Sequence, residues 1–411
     1  MLAARDYRFL DGIPPERYGE ALELGLSSPW YLALHLEEAG KTAEAASFYE
    51  LGAKQSPYPF NLLCLKGLLG TGSAESRLAA LGVLAAQKSF VTGGLDTGRI
   101  RDEILLESGR FDELPGGLAA WSYAHPLPEV LTKPVSGLPA GFPEPFYRIT
   151  GARAAAVRRD YQAAWASVQD QLADPSPEIL NRPVLSDFGR AALYGAGDFA
   201  LAAKSFANLV ADNPTGEGER EASYIAAFYA GRLYARAGNS HTRMARTFLA
   251  RAISLADRPV DRDAALWYLL ELSVKGGTSL FIADLGRYAP GWGDGAAFTD
   301  LLDGCTARLV QERDWPSLLA LQKALPDGAE RDILVRIDYL AARSGLLSPD
   351  ESAAALRSAF EGDHGSLYYH VLAGELLGLT PGSMAGPGSV RRQQPRGQAG
   401  NDARIGAPAP D

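Results

Sequence analysis

Seven arginines fall between positions 232 and 262, at 232, 236, 243, 246, 251, 258 and 262, and only Asp257 and Asp261 oppose them. The segment is about +5 inside a chain whose net charge is −9. Guanidinium groups hold carboxylates and phosphates through paired hydrogen bonds, so this density points to an anionic polymer or an acidic peptide as ligand. At helical spacing Arg232 and Arg236 share one face, as do Arg243 and Arg246. These four are candidate binding residues if the run lines a groove; the pattern also fits a solvated outer helix face. Trp292 joins them as a candidate. It sits in Gly291-Trp292-Gly293-Asp294-Gly295, a glycine-rich stretch expected to be flexible and to expose the ring for stacking on a sugar.

No other constellation carries chemistry. His35, His125, His241, His364 and His370 do not pair with one another or with cysteine at ligand spacing, so no metal is expected. No phosphate loop, dinucleotide fingerprint or Gly-x-Ser-x-Gly elbow occurs, and no cofactor is implied. Cys64 and Cys305 are far apart, and Cys64 lies in the apolar run Asn61-Leu62-Leu63-Cys64-Leu65, where a core thiol is expected. The acidic balance argues against a general nucleic-acid binder. No stretch approaches the roughly 20 apolar residues of a membrane span. Charges at Arg5, Asp6, Arg8 and Asp11 break up the N-terminus, so no signal peptide is expected and the chain as written reads as cytoplasmic.

The elements that would position these residues are helical hairpins. From Pro29 to Pro57, Leu32, Ala33 and Leu36 form one apolar stripe, Gly40 ends that helix, and Ala45, Tyr49, Gly52 and Ala53 form a second stripe. Small residues lie where the two helices must approach closely. Leu193, Gly197, Ala202, Phe206, Leu209 and Pro214 repeat the spacings of Leu36, Gly40, Ala45, Tyr49, Gly52 and Pro57. A third copy, with Gly231, Tyr234, Gly238, Ala245, Leu249 and Ala252, is two residues longer in its turn. Weaker copies span Leu105–Trp121 and Val157–Val168. The unit resembles the tetratricopeptide repeat, and the expected fold is an all-α superhelical solenoid of about twenty helices. Trp30, Tyr49, Phe206, Tyr234, Phe248 and Trp267 fall at packing positions and are expected between helices.

Gly and Pro together supply 70 of the 411 residues. Many are helix stops. Others concentrate in two interruptions. Ala124–Pro145 carries six prolines and cannot be helical throughout; it is expected to bridge an N-terminal array, 1–123, to a larger one, 146–379. In Pro381–Asp411, Gly, Pro, Ala and Arg make up 20 of 31 residues, so a disordered tail, 380–411, is expected.

The run Ser366-Leu367-Tyr368-Tyr369-His370-Val371-Leu372-Ala373-Gly374-Glu375-Leu376-Leu377-Gly378-Leu379 resembles the S-x-Y-Y-x-x-L-A-x-x-x-L-G-L element of soluble lytic murein transglycosylases. The helix Ala264–Gly276, with Trp267-Tyr268, is similar to the repeats of the same superhelical region. The resemblance covers about 180–379. It implies a periplasmic protein that meets peptidoglycan, provided the start of the chain is truncated. In that family a lysozyme-like domain follows the superhelix and cleaves the glycan, but only 32 residues follow Leu379 here. The family's E-S-x-F and G-L-M-Q motifs are missing: Glu107-Ser108-Gly109-Arg110-Phe111 has one residue too many and reads as a helix end and turn. Ser348-Pro349-Asp350-Glu351 reads as a capped helix start. Arginines number 32 against 8 lysines, as in GC-rich coding sequence, and the composition after Thr380 fits either out-of-frame translation or an authentic tail. Two functions follow. One is a non-catalytic superhelical scaffold of peptidoglycan turnover, binding peptidoglycan or protein segments on its concave surface. The other is a cytoplasmic tetratricopeptide-type adaptor for protein partners.

Overall fold

Short helices require frequent starts and stops, and both are visible residue by residue. The computed structural model describes residues 13–23, 28–87, 95–127, 144–326, 328–361 and 367–379. Among them all regular structure is helical, so the fold is all-α. The expected tail at 380–411 and most of the proline-rich bridge, 128–143, lie outside the described residues.

The chain divides into two compact units, Met1–Leu255 and Ala256–Asp411. The first contains α1 (Tyr18–Glu23), α2 (Pro29–Glu38), α3 (Thr42–Gln55), α4 (Phe60–Thr71), α5 (Ala74–Ala85), α6 (Thr97–Glu107), α7 (Gly117–Ala124), α8 (Glu144–Val157), α9 (Tyr161–Val168), α10 (Arg182–Gly195), α11 (Phe199–Ala207), α12 (Glu217–Arg236) and α13 (Thr242–Leu255). The second contains α14 (Pro259–Gly276), α15 (Thr278–Tyr288), α16 (Thr299–Glu312), α17 (Trp315–Ala324), α18 (Arg331–Arg343), α19 (Pro349–Glu361) and α20 (Leu367–Leu376).

Prolines in the first turn open α2, α10, α14 and α17, where the missing N–H costs nothing. Aspartates cap α6, α9, α11 and also α17: Asp96, Asp160, Asp198 and Asp314 accept the N–H three residues on. Gly40 and Gly238 end α2 and α12 in left-handed conformations, φ +75° and +103°, that a side chain would strain.

Within each unit helices pack chiefly on their chain neighbours. In the first, α2, α3, α4 and α5 follow one another, and α10 packs on α8, α9, α11 and α12. In the second, α17 lies against α15, α16 and α18, and α19 against α18 and α20. The small residues act as expected. Gly52 of α3 faces the Cys64 sulfur of α4, and a Cβ on Gly231 of α12 would stand 2.7 Å from Leu249 Cγ of α13. Cys64 is fully buried, which pushes its thiol pKa up to about 12, so it is a packing residue. The longer connection of the third hairpin holds a three-residue 3-10 turn, Asn239–His241, between α12 and α13.

The division falls at Leu255, and a buried arginine joins the helices that flank the proline-rich stretch at 124–145. Arg153 of α8 donates to the carbonyls of Ser122 (2.5 Å) and His125 (2.8 Å) at the end of α7, and α7 also packs on α10. Helices on either side of the proline-rich stretch therefore belong to one unit.

Candidate functional site

The arginine run does not form one stripe. Residues 232–251 belong to the first unit, whereas Arg258 and Arg262 belong to the second. Their neighbours separate them further. Arg251 of α13 donates to Ala211 O at 2.9 Å and to Asp212 O, closing the α11–α12 loop. Arg258 makes a paired contact with Asp261 at 2.8 and 2.9 Å. Arg262 donates to Tyr288 O, Pro290 O and Gly291 O at 2.9–3.1 Å. These three serve loop and helix ends.

Arg232 and Arg236, one turn apart on α12, meet aromatic rings. Arg232 lies 5.4 Å from the Phe228 centroid; Phe228 stacks on Tyr224 at 6.0 Å, and Arg182 covers Tyr224 at 5.7 Å. Arg236 lies 5.4 Å from the centroids of both Tyr194 and Phe199, and its Nη1 donates to Leu193 O at 2.8 Å. The Tyr161 ring stands 5.0 Å from that of Tyr194 at a tilt of 36°. Arg243 is exposed on α13, and Arg246 is half-buried on the same helix. Thus α9, α10, α11 and α12 converge on Arg236, while the α13 pair is placed on a different helix.

Trp292 corrects the sequence reading. The ring was expected to stand exposed on a flexible loop; it is 9% exposed and stacks on Phe298, with centroids 4.8 Å apart. Two adjacent residues of α14 hold the loop. Arg262 takes the three carbonyls named above, and the Asp263 carboxylate accepts from the N–H groups of Gly293 (3.0 Å) and Asp294 (2.9 Å). With the backbone clamped at both ends the ring turns inward, and it is not available to a sugar. Of the other aromatics, Tyr49 and Phe206 are fully buried, and Tyr234 stacks on Phe248 at 5.8 Å, so the packing roles expected for them hold.

The sequence reading missed two features. Arg153 is fully buried, paired with Asp187 Oδ2 at 2.6 Å; Asp187 also receives Arg190 of its own helix. An arginine in the alanine-rich run Gly151-Ala152-Arg153-Ala154-Ala155-Ala156 was the available signal, since a charge on a core-facing position demands a partner. The second is a groove of about 450 Å³ between α3, α4 and α5, whose lining includes Ala53, Leu62, Leu65, Ala80 and Val83 together with Glu50 and Lys54. None of the sequence-predicted site residues lines it.

Among the described residues no helix is long and apolar enough to cross a membrane. No protein-family model matches the chain, and no curated protein matches it.

Proposed function

We propose that the chain is a tetratricopeptide-like superhelical scaffold related to the superhelical region of soluble lytic murein transglycosylases, and that it binds rather than cleaves in peptidoglycan turnover. One observation carries this reading. Equivalent positions of the repeated hairpins are buried alike: Leu36, Ala45 and Tyr49 in the first, Leu193, Ala202 and Phe206 in the second, Tyr234, Ala245 and Leu249 in the third. Such hairpins cannot bury their apolar stripes singly. Stacking them produces a solenoid with an extended surface suited to a peptide, a protein segment or a polymer. The arginines on α12 give part of that surface an affinity for anions.

The experiment is co-sedimentation of the purified chain with purified sacculi, with soluble muropeptides measured in the supernatant. Retention on sacculi without muropeptide release is the expected result. Release by the chain alone would overturn the binding-only reading. A chain that stays in the supernatant at low salt would overturn the cell-wall reading and leave a protein adaptor.

A further inference from the structure

Arg236 combines a head held between two aromatic rings with donors that remain unspent. Arg251 gives two hydrogen bonds to loop carbonyls, and Arg153 is consumed by a carboxylate and two carbonyls. Arg236 makes one hydrogen bond, to Leu193 O, and no ion pair among the described residues. A guanidinium has five N–H donors, so four remain. The residue is exposed, yet its head is held on three sides: by the Tyr194 ring, the Phe199 ring and the Leu193 carbonyl. A long side chain normally loses rotamer freedom when it captures a ligand; here that ordering has been done in advance.

The surroundings suit a ligand with one negative head and a less polar body. Tyr194 is 48% exposed, an accessible flat ring beside the cation, and Tyr161 extends the aromatic surface. The acidic residues that adjoin Phe199 and Tyr161 in sequence are engaged as helix caps. Asp198 caps α11 by accepting from Leu201 N–H at 2.9 Å, and Asp160 caps α9 by accepting from Ala163 N–H at 3.3 Å. Neither supplies the guanidinium with an internal counter-charge.

We propose that Arg236, with Tyr194, Phe199 and Tyr161, forms a binding site for a peptide carboxylate, taking the carboxylate on the guanidinium fork and the adjoining peptide on the tyrosine face. This deepens the scaffold reading above and rests on it only for the source of the peptide, a peptidoglycan stem or an acidic protein segment.

The test uses the full chain and fluorescence polarisation. The probes are a labelled tetrapeptide of L-residues with one glutamate and a free C-terminus, its glutamine-containing, C-terminally amidated counterpart, and a labelled muropeptide with free stem carboxylates. A charge-assisted paired contact predicts about tenfold or greater preference for the carboxylate form, declining as salt rises. Arg236→Lys retains the charge but loses the planar fork, so it should weaken binding by a similar factor. Tyr194→Leu should weaken it several-fold. Arg17→Gln, on a distant exposed helix end, should leave it unchanged. Circular dichroism melts identify any variant that fails to fold; for such a variant the unmutated chain's carboxylate-over-amide ratio still decides. Equal binding of acid and amide, or unaltered binding by a folded Arg236→Lys variant, would overturn the site. Binding of the muropeptide assigns the source to the cell wall. Binding of the L-peptide alone supports the site while removing the cell-wall reading. Retention on sacculi with no binding of either probe would overturn the site and leave the scaffold reading standing.

Discussion

Replacing Arg153 with Met tests whether one buried arginine unites the helices on either side of the proline-rich stretch. The native guanidinium donates to Asp187 at 2.6 Å and to Ser122 O and His125 O. Methionine fills similar length without charge, which keeps the cavity contribution small. Removing one partner of a buried pair costs about 3–5 kcal/mol, because the other charge stays buried. Asp187 still receives Arg190, which holds its share toward the low end. The two stranded carbonyls add about 1 kcal/mol each. A total near 5 kcal/mol, at a slope of about 2–3 kcal/mol per molar urea, lowers the midpoint of the first unit by about 1.7–2.5 M. Urea unfolding followed by circular dichroism reads this shift, and hydrogen exchange should localise the loss of protection to α7, α8 and α10. Adding Asp187→Leu should recover part of the loss, since the uncompensated charge then disappears. A midpoint shift below about 0.3 M for Arg153→Met would refute the assignment, as would a double variant less stable than the two single variants predict by addition.

Two further perturbations test the hairpins. Gly52→Ala would drive a methyl group into Cys64 Sγ and should cost about 1–3 kcal/mol, while Gly82→Ala on the open face of α5 should be neutral or stabilising by up to about 1 kcal/mol; equal effects in thermal melts would contradict close approach at Gly52. At the start of α19, the Ser348 N–H and hydroxyl both donate to Glu351 Oε2, at 2.9 and 2.8 Å, while Ser348 Oγ accepts from Glu351 N–H at 3.3 Å. The Ser348 backbone bond first, then its hydroxyl, hold the Glu351 pKa below its ordinary value, so this stabilisation is fully present above about pH 4.5 and is lost as pH falls through the lower, folded value. Melting temperatures of the native chain and Glu351→Gln should therefore differ near neutrality and converge in acid; a constant difference across that range would remove the carboxylate's role.

What could be read from residues alone was local. The stripe spacings, the turn at Gly40, the extra turn residues before α13 and the capping box at Ser348 each depend on neighbours within about ten positions. Trp292 shows the opposite case. Its local composition, alternating with glycine, resembles a free loop, but the loop's hydrogen-bond partners, Arg262 and Asp263, lie about 30 positions upstream and become neighbours only when α14 and α15 pack. The contacts across the proline-rich stretch are equally non-local. A proline-rich stretch signals a break in regular structure, yet Arg153 reaches back 28–31 residues to the end of α7 and forward 34 to Asp187. Spacing puts Arg232 and Arg236 on one helix, but could not distinguish them from Arg251, which turns back to the Ala211 and Asp212 carbonyls.

The abundance of arginine over lysine acquires a structural use in this setting. Each α-helix leaves its last carbonyls without helical partners, and a fold of many short helices multiplies such ends. Arginines from neighbouring helices take them repeatedly. Arg148 donates to Ser167 O at the end of α9, Arg220 to Leu255 O at the end of α13, and Arg262 to Tyr288 O at the end of α15. Arg153 serves the end of α7 and Arg236 the end of α10. A planar fork can bridge two carbonyls while its charge faces the negative end of the helix, so lysine is not an equal replacement. This use also sharpens the search for a binding residue. In a chain with 32 arginines, number and clustering identify none of them as a ligand contact, because many of them serve helix ends and ion pairs. The informative residue is the one fixed in place with donors left over. On the α12–α13 surface, Arg236 meets that condition.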